Sequence, residues 1–186
     1  MLKTLLAIDD EHAVVVDERA PPPRPIAERR AEYDARASQC RLLAGVFVEE
    51  ADADFVRALR CPEVLASLAA AGVCFEADFL DAEEGALVER LACEYTTLFA
   101  ASGGFPPVES VRLTGRYKQD PHFQVAQDYA KWGFVVGKGR FELFPDQLGV
   151  ELMFVAELLE RCSGALAAGD EALARRIERD LKRFWT

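Results

Sequence analysis

Residues 94–113 read EYTTLFAASGGFPPVESVRL, and the fold turns on how this stretch is parsed. A helical edge carries Tyr95, Leu98 and Phe99 and breaks at Gly103-Gly104. Pro106-Pro107 then imposes a stiff extended step, because each ring fixes φ and removes a backbone donor. Glu109 and Ser110 follow in what the spacing predicts to be an ordered loop. Upstream, Leu87, Leu91, Tyr95 and Leu98 fall on one face of a helix expected over 83–100, with Phe99 beside them.

The same helical period runs outward in both directions. Tyr33, Ala37, Cys40, Ala44 and Phe47 recur at alternating spacings of four and three from about residue 26, with Leu43 and Val46 widening the stripe. A shorter helix is expected over 53–59. Pro62 suits the first position of a third, which Gly72 stops. Asp78, Asp81, Glu83 and Glu84 suit the positive end of the helix that follows them. Beyond the loop a helix is expected over 120–132, ended by Gly133, and Gly137, Lys138 and Gly139 make a flexible joint. Residues 141–162, FELFPDQLGVELMFVAELLERC, place Pro145 at a first helical position and line up Leu148, Leu152, Val155 and Leu159. A last helix starts near Asp170 and carries Leu173, Ile177, Leu181 and Phe184. Its run to Trp185-Thr186 without a cap suggests an end that is shortened or covered. Strand signals are nearly absent, so the expected class is all-α. Residues 1–25, with Pro21-Pro22-Pro23-Arg24-Pro25, read as a mobile or loosely packed arm and linker. Residues 26–136 read as a helical body and 137–186 as a hinge with smaller C-terminal helices.

At 186 residues the chain is expected to form one domain with a small appendage. A formal net charge of −10 makes nucleic acid and anionic membrane poor partners and attracts a cationic peptide or protein. The five cysteines show no C-x-x-C spacing, which argues against a disulfide framework or a zinc site and for a reducing cytosol. The opening MLKTLLAIDDEH is cut short by Asp9, Asp10 and Glu11, so no signal peptide is expected. No apolar run approaches the roughly 18 residues of a membrane span.

An enzyme reading finds little chemistry. His12 and His122 have no E-x-x-H or H-x-x-x-H partner. The glycines from Gly133 to Gly139 lack the order of a phosphate loop and read as a hinge. Ser38, Ser67, Ser102, Ser110 and Ser163 sit in no nucleophile elbow. Glu49-Glu50 and Glu83-Glu84 read as solvated faces. Glu94, Glu109, Asp146 and Glu151 differ, since they flank apolar helix edges and proline turns. A carboxylate there can receive an arginine in a two-pronged hydrogen bond. Asp146 equally suits a helix start and Glu109 a loop anchor, while Tyr95, Leu98 and Phe99 equally suit a core. A groove with apolar walls and an acidic rim would take a peptide with arginines followed by a hydrophobic run.

Three stretches resemble the TorD/DmsD/NarJ family of redox-enzyme maturation chaperones. RASQCRLLAGVFVE resembles its opening helix, EYTTLFAASGGFPPVESVRL its central signature, and LFPDQLGVELMFVAEL its second signature. The resemblance spans roughly residues 30–186. It implies an all-α bundle with an N-terminal body, a hinge and a smaller C-terminal part. It also implies a cytoplasmic, non-enzymatic chaperone without a cofactor of its own. Such a chaperone binds the twin-arginine signal peptide, and often the body, of a molybdopterin oxidoreductase catalytic subunit, aids cofactor insertion and holds back export. The positions it assigns are Tyr95, Leu98, Phe99, Pro107, Glu109 and Ser110, then Pro145, Asp146, Leu148, Glu151 and Leu152. Gln147 stands where the family usually has histidine, which removes a titrating group and leaves an amide that donates and accepts. Relatives occur as monomers and as domain-swapped dimers. The alternative reading is a helical sensor of a small molecule or nucleotide, with the Gly133–Gly139 joint contributing.

Overall fold

A computed structural model describes residues 24–100, 104–137 and 143–185. The expected arm up to Pro23, His12, Ser102, Gly103, the Lys138-Gly139 part of the joint and Thr186 lie outside the described residues. Within them the fold is all-α. One isolated antiparallel bridge, Val108 to Gln147, is its only pairing of extended backbone.

The molecule is arranged around helix α8 (Leu148–Ala167). Val150, Phe154, Val155, Ala156, Leu158 and Cys162 are all buried, so the expected stripe widens to cover most of the helix circumference. A helix that is apolar nearly all round belongs in the interior. Helix α1 (Ile26–Val48) lies along it, so a segment expected in the C-terminal part shares the larger core with the first helix. Their approach is close. A Cβ on Gly149 would come within 2.5 Å of Val48 Cγ2 and 3.1 Å of the Ala44 carbonyl. Small residues therefore set the line of contact: Ala37 and Ala44 are buried, whereas Leu43 and Val46, expected to widen the stripe, face solvent.

Helix α7 (Asp120–Trp132) ends at Gly133, as expected, and the φ of 65° there makes the glycine a left-handed cap. It adds Val125 and Tyr129 to the core around α8. Helix α9 (Glu171–Phe184) starts where Asp170 accepts the Leu173 N–H at 2.9 Å, and buries Ala174, Ile177 and Leu181. The rings of Tyr129 and Phe154 lie 4.7 Å apart and those of Phe154 and Phe184 5.1 Å apart, which closes this end of the core.

A second cluster joins α2 (Ala53–Leu59), α4 (Ala77–Leu80) and α5 (Glu84–Tyr95) through Val56, Leu59, Phe79 and Leu87. Arg60 ties it by donating to the carbonyls of Phe79, at 3.0 Å from Nε, and Ala82, at 2.8 Å. Helix α3 (Pro62–Ala70) begins on its proline, as expected.

Two elements depart from the sequence reading. The helix expected over 83–100 is α-helical only to Tyr95 and continues as a π-helical turn, Thr96–Ala100. The wider turn keeps Phe99, four residues on from Tyr95, facing inward and swings Leu98 outward. Glu109 and Ser110, expected in a loop, instead open a short helix α6 (Glu109–Thr114).

The α1–α8 contact should be the least forgiving place in the fold. Gly149→Ala is expected to cost about 1–3 kcal/mol by forcing the helices apart. Gly164→Ala, where nothing lies within 4 Å of the added Cβ, should instead stabilise by roughly 0.5–1 kcal/mol. Urea unfolding of the two variants checks the contrast.

Candidate functional site

The stretch around Pro106 and the stretch around Asp146 meet through helix ends. The Pro107 carbonyl accepts the Leu148 N–H at 2.8 Å, and Glu109 N–H donates to the Asp146 carbonyl at 2.8 Å. Helix α6 starts after Val108, which has no side-chain acceptor to offer its first N–H groups. Asp146 supplies one from the other strand of the junction: its Oδ2 accepts the Ser110 N–H at 2.9 Å. Its Oδ1 lies 3.1 Å from Nδ1 of His122 on α7. Ser110 Oγ accepts the Gln119 N–H at 3.2 Å, and Tyr129 Oη donates to the Pro145 carbonyl at 2.8 Å. Pro145 thus stands in the turn before α8 rather than at a first helical position; Gln147 is the N-cap residue.

Gln147 also reaches the end of α1. Its Nε2 donates to the Phe47 carbonyl at 2.8 Å, and Tyr95 Oη donates to the same carbonyl at 3.1 Å. A carbonyl in the last turn of a helix has no intrahelical partner and two lone pairs, so it can accept both. The Phe99 ring stands 5.8 Å from that of Phe47 and 5.1 Å from that of Tyr95. Tyr95, Phe99, Ser110, Asp146 and Gln147 therefore belong to one junction.

Their exposure divides the expected site in two. Ser110 and Asp146 are 0% exposed and Gln147 is buried. An acidic rim cannot include Asp146, because its carboxylate is spent on the α6 cap and on His122. This corrects the expectation that Asp146 faces a ligand. Leu98 is 53% exposed, Glu94 and Glu109 are exposed, and Tyr95, Phe99 and Pro107 are half-buried. Glu151 is the unusual member. It is half-buried, and its Oε1 is shielded from water with no hydrogen-bond partner among the described residues. Burial, and then the charges of Glu109 and Asp146, push its carboxyl up to about 7.

His122, Phe47 and Gln119 were not expected as parts of the site. No sequence spacing relates His122 to Asp146, and a backbone carbonyl leaves no trace in side-chain identity. Among the described residues no cluster of His, Cys, Asp or Glu is arranged to hold a metal ion, and no helix is long and apolar enough to cross a membrane. What the arrangement offers is binding: an apolar edge at Leu98 and Pro107 beside two carboxylates, one lacking a partner.

Two substitutions should move stability in opposite directions. Asp146→Ala uncaps α6 and is expected to cost on the order of 2 kcal/mol at pH 7. Glu151 holds its proton more tightly folded than unfolded, so its contribution is full below an ordinary pKa of 4.5 and is lost as pH rises through about 7. Glu151→Gln should therefore stabilise by roughly 1–2 kcal/mol at pH 8 and by little at pH 5. Thermal unfolding of both variants at the two pH values reads this out.

The sequence model of the nitrate reductase delta subunit family matches residues 69–186. Comparison with curated proteins gives no match. A crystal structure of a candidate redox enzyme maturation protein from Archaeoglobus fulgidus aligns with a TM-score of 0.48 and 20% identity, over 88% of this chain and 99% of that one. The family match takes in both EYTTLFAASGGFPPVESVRL and LFPDQLGVELMFVAEL, the stretches that meet at the junction. By that match the chain belongs to the nitrate reductase delta subunit family, whose members are maturation chaperones rather than catalytic subunits.

Proposed function

We propose that this chaperone acts in the cytoplasm on the catalytic subunit of a molybdopterin oxidoreductase. It binds the subunit's twin-arginine signal peptide and apo form, aids insertion of the cofactor and holds back export. The hydrophobic run of the leader lies along Leu98, Phe99 and Pro107, with Tyr95 and Gln147 fixing the helices behind them. The leader's arginines meet Glu109 and Glu151.

The observation that carries this reading is the partnerless oxygen of Glu151 next to an exposed Glu109. A buried carboxylate without a donor costs free energy that a planar guanidinium recovers through paired N–H groups. The net charge of −10 adds attraction at long range for a cationic leader.

Titration of a synthetic twin-arginine leader peptide by calorimetry tests the reading. Glu109→Gln combined with Glu151→Gln should weaken binding by about thirtyfold, in line with roughly 1 kcal/mol for each of two partly exposed ion pairs. Replacing the peptide's arginines by lysines should also weaken it, because the fork geometry is lost. Wild-type affinity should rise between pH 6 and 8 as Glu151 ionises, and fall with added salt. Unchanged affinity in the double variant removes the acidic receptor.

A further inference from the structure

One surface of the molecule does not suit a cationic leader. Residues 112–123, RLTGRYKQDPHF, hold three basic side chains against one acidic in a chain of net charge −10. Many arginines elsewhere lie against carboxylates, as Arg41 does with Glu160 at 2.6 Å and Arg161 with Glu157 at 2.8 Å. Arg112 and Arg116 have no carboxylate within salt-bridge distance among the described residues. Arg112 stands instead over the Phe105 ring, 5.5 Å from its centre.

Apolar groups crowd the same surface. Phe105 is 67% exposed, Leu113 69% and Phe123 55%. The Tyr117 ring stacks on Phe144 at 4.8 Å, with the Lys118 ammonium 5.7 Å from the Phe144 centroid. His122 links Phe144 to Phe123 through ring contacts at 6.2 and 5.1 Å. Exposed aromatic and aliphatic groups interleaved with arginine are the composition of interface centres.

The surface is also held in shape. Gly115 turns the chain at φ 73°, the Arg116 N–H is bound by Thr114 Oγ1 at 3.2 Å, and Gln119 is tied to the buried Ser110. Such preorganisation lowers the ordering cost of binding.

We propose that the Phe105–Phe123 surface, formed by the end of α6, the α6–α7 turn and the first turn of α7, is a second docking site. It takes an acidic segment with apolar side chains on the protein partner, separate from that partner's cationic leader. This rests on reading the chain as a chaperone of a larger protein. Charge decides between occupants. A planar anionic bilayer would bring much of the −10 chain against like charge, whereas a narrow acidic segment meets only the local positive patch within a Debye length of ~8 Å.

The test uses the full chain and a fluorescently labelled ten-residue peptide alternating glutamate with phenylalanine and leucine. Anisotropy should report binding that weakens at least tenfold in Arg112→Gln/Arg116→Gln and falls steeply with salt. A peptide with glutamine in place of glutamate should bind at least tenfold more weakly. The affinity of the twin-arginine leader for the same double variant should be unchanged or slightly higher. This keeps failure of the second surface distinct from failure of the leader site. Equal binding of the acidic peptide to wild type and double variant, or no binding to either, overturns the proposal. So does a stronger response to phosphatidylserine vesicles or a nucleoside triphosphate, or arginine-dependent self-association in sedimentation.

Discussion

The last turn of α1 ends in a carbonyl that its own helix cannot satisfy, and much of the structure follows from how that debt is met. Phe47 O receives Tyr95 Oη from α5 and Gln147 Nε2 from the start of α8. Leaving such a group dry and unpaired costs about 1–3 kcal/mol. The arrangement fixes where three helices end relative to one another. Asp146 does the same for a helix start, capping α6 from outside its own segment. Tyr95, Asp146 and Gln147, which the sequence suggests as ligand contacts, thus turn out to satisfy the ends of neighbouring helices.

Regular elements were legible because one physical rule sets each of them. Helix α2 falls on 53–59 and α7 on 120–132 because apolar spacing, a proline near one start and Gly133 at one end all agree. The π-helical turn was not legible, since Thr96, Thr97 and Leu98 are compatible with either ring size. Thr96 Oγ1 bonding Glu50 and Thr97 Oγ1 bonding the Cys93 carbonyl are visible only in three dimensions. Helix α6 escaped for a related reason. Six residues without a local cap do not form a helix by propensity, and the cap that makes it possible lies far along the chain.

The site was legible in its membership more than in its roles. Tyr95, Phe99, Ser110, Asp146 and Gln147 come together as the two signatures implied, but burial reverses the part expected of Asp146. A sequence shows that a carboxylate is present and hides whether water or a backbone N–H faces it. Glu151 shows the converse. The sequence already sets it apart as a carboxylate that can receive an arginine, but does not show that the fold shields one of its oxygens without giving it a donor. Such an uncompensated group is a cost to folding that a ligand can relieve.

Helix α6 connects architecture to binding. It carries Glu109 at its start and Arg112 in its last turn, each placed favourably with respect to the helix dipole. A helix of this length has no independent stability, so it exists because Asp146 caps Ser110 and because Val108 pairs with Gln147. Both charges are therefore displayed only while the junction is closed. Loosening the Phe47–Gln147–Asp146 contacts would blur the carboxylates proposed to meet the leader and the arginine surface together, although neither touches Phe47. Loss of both proposed binding activities in one variant would then mark damage to the junction, whereas loss of one alone would mark the surface that was changed.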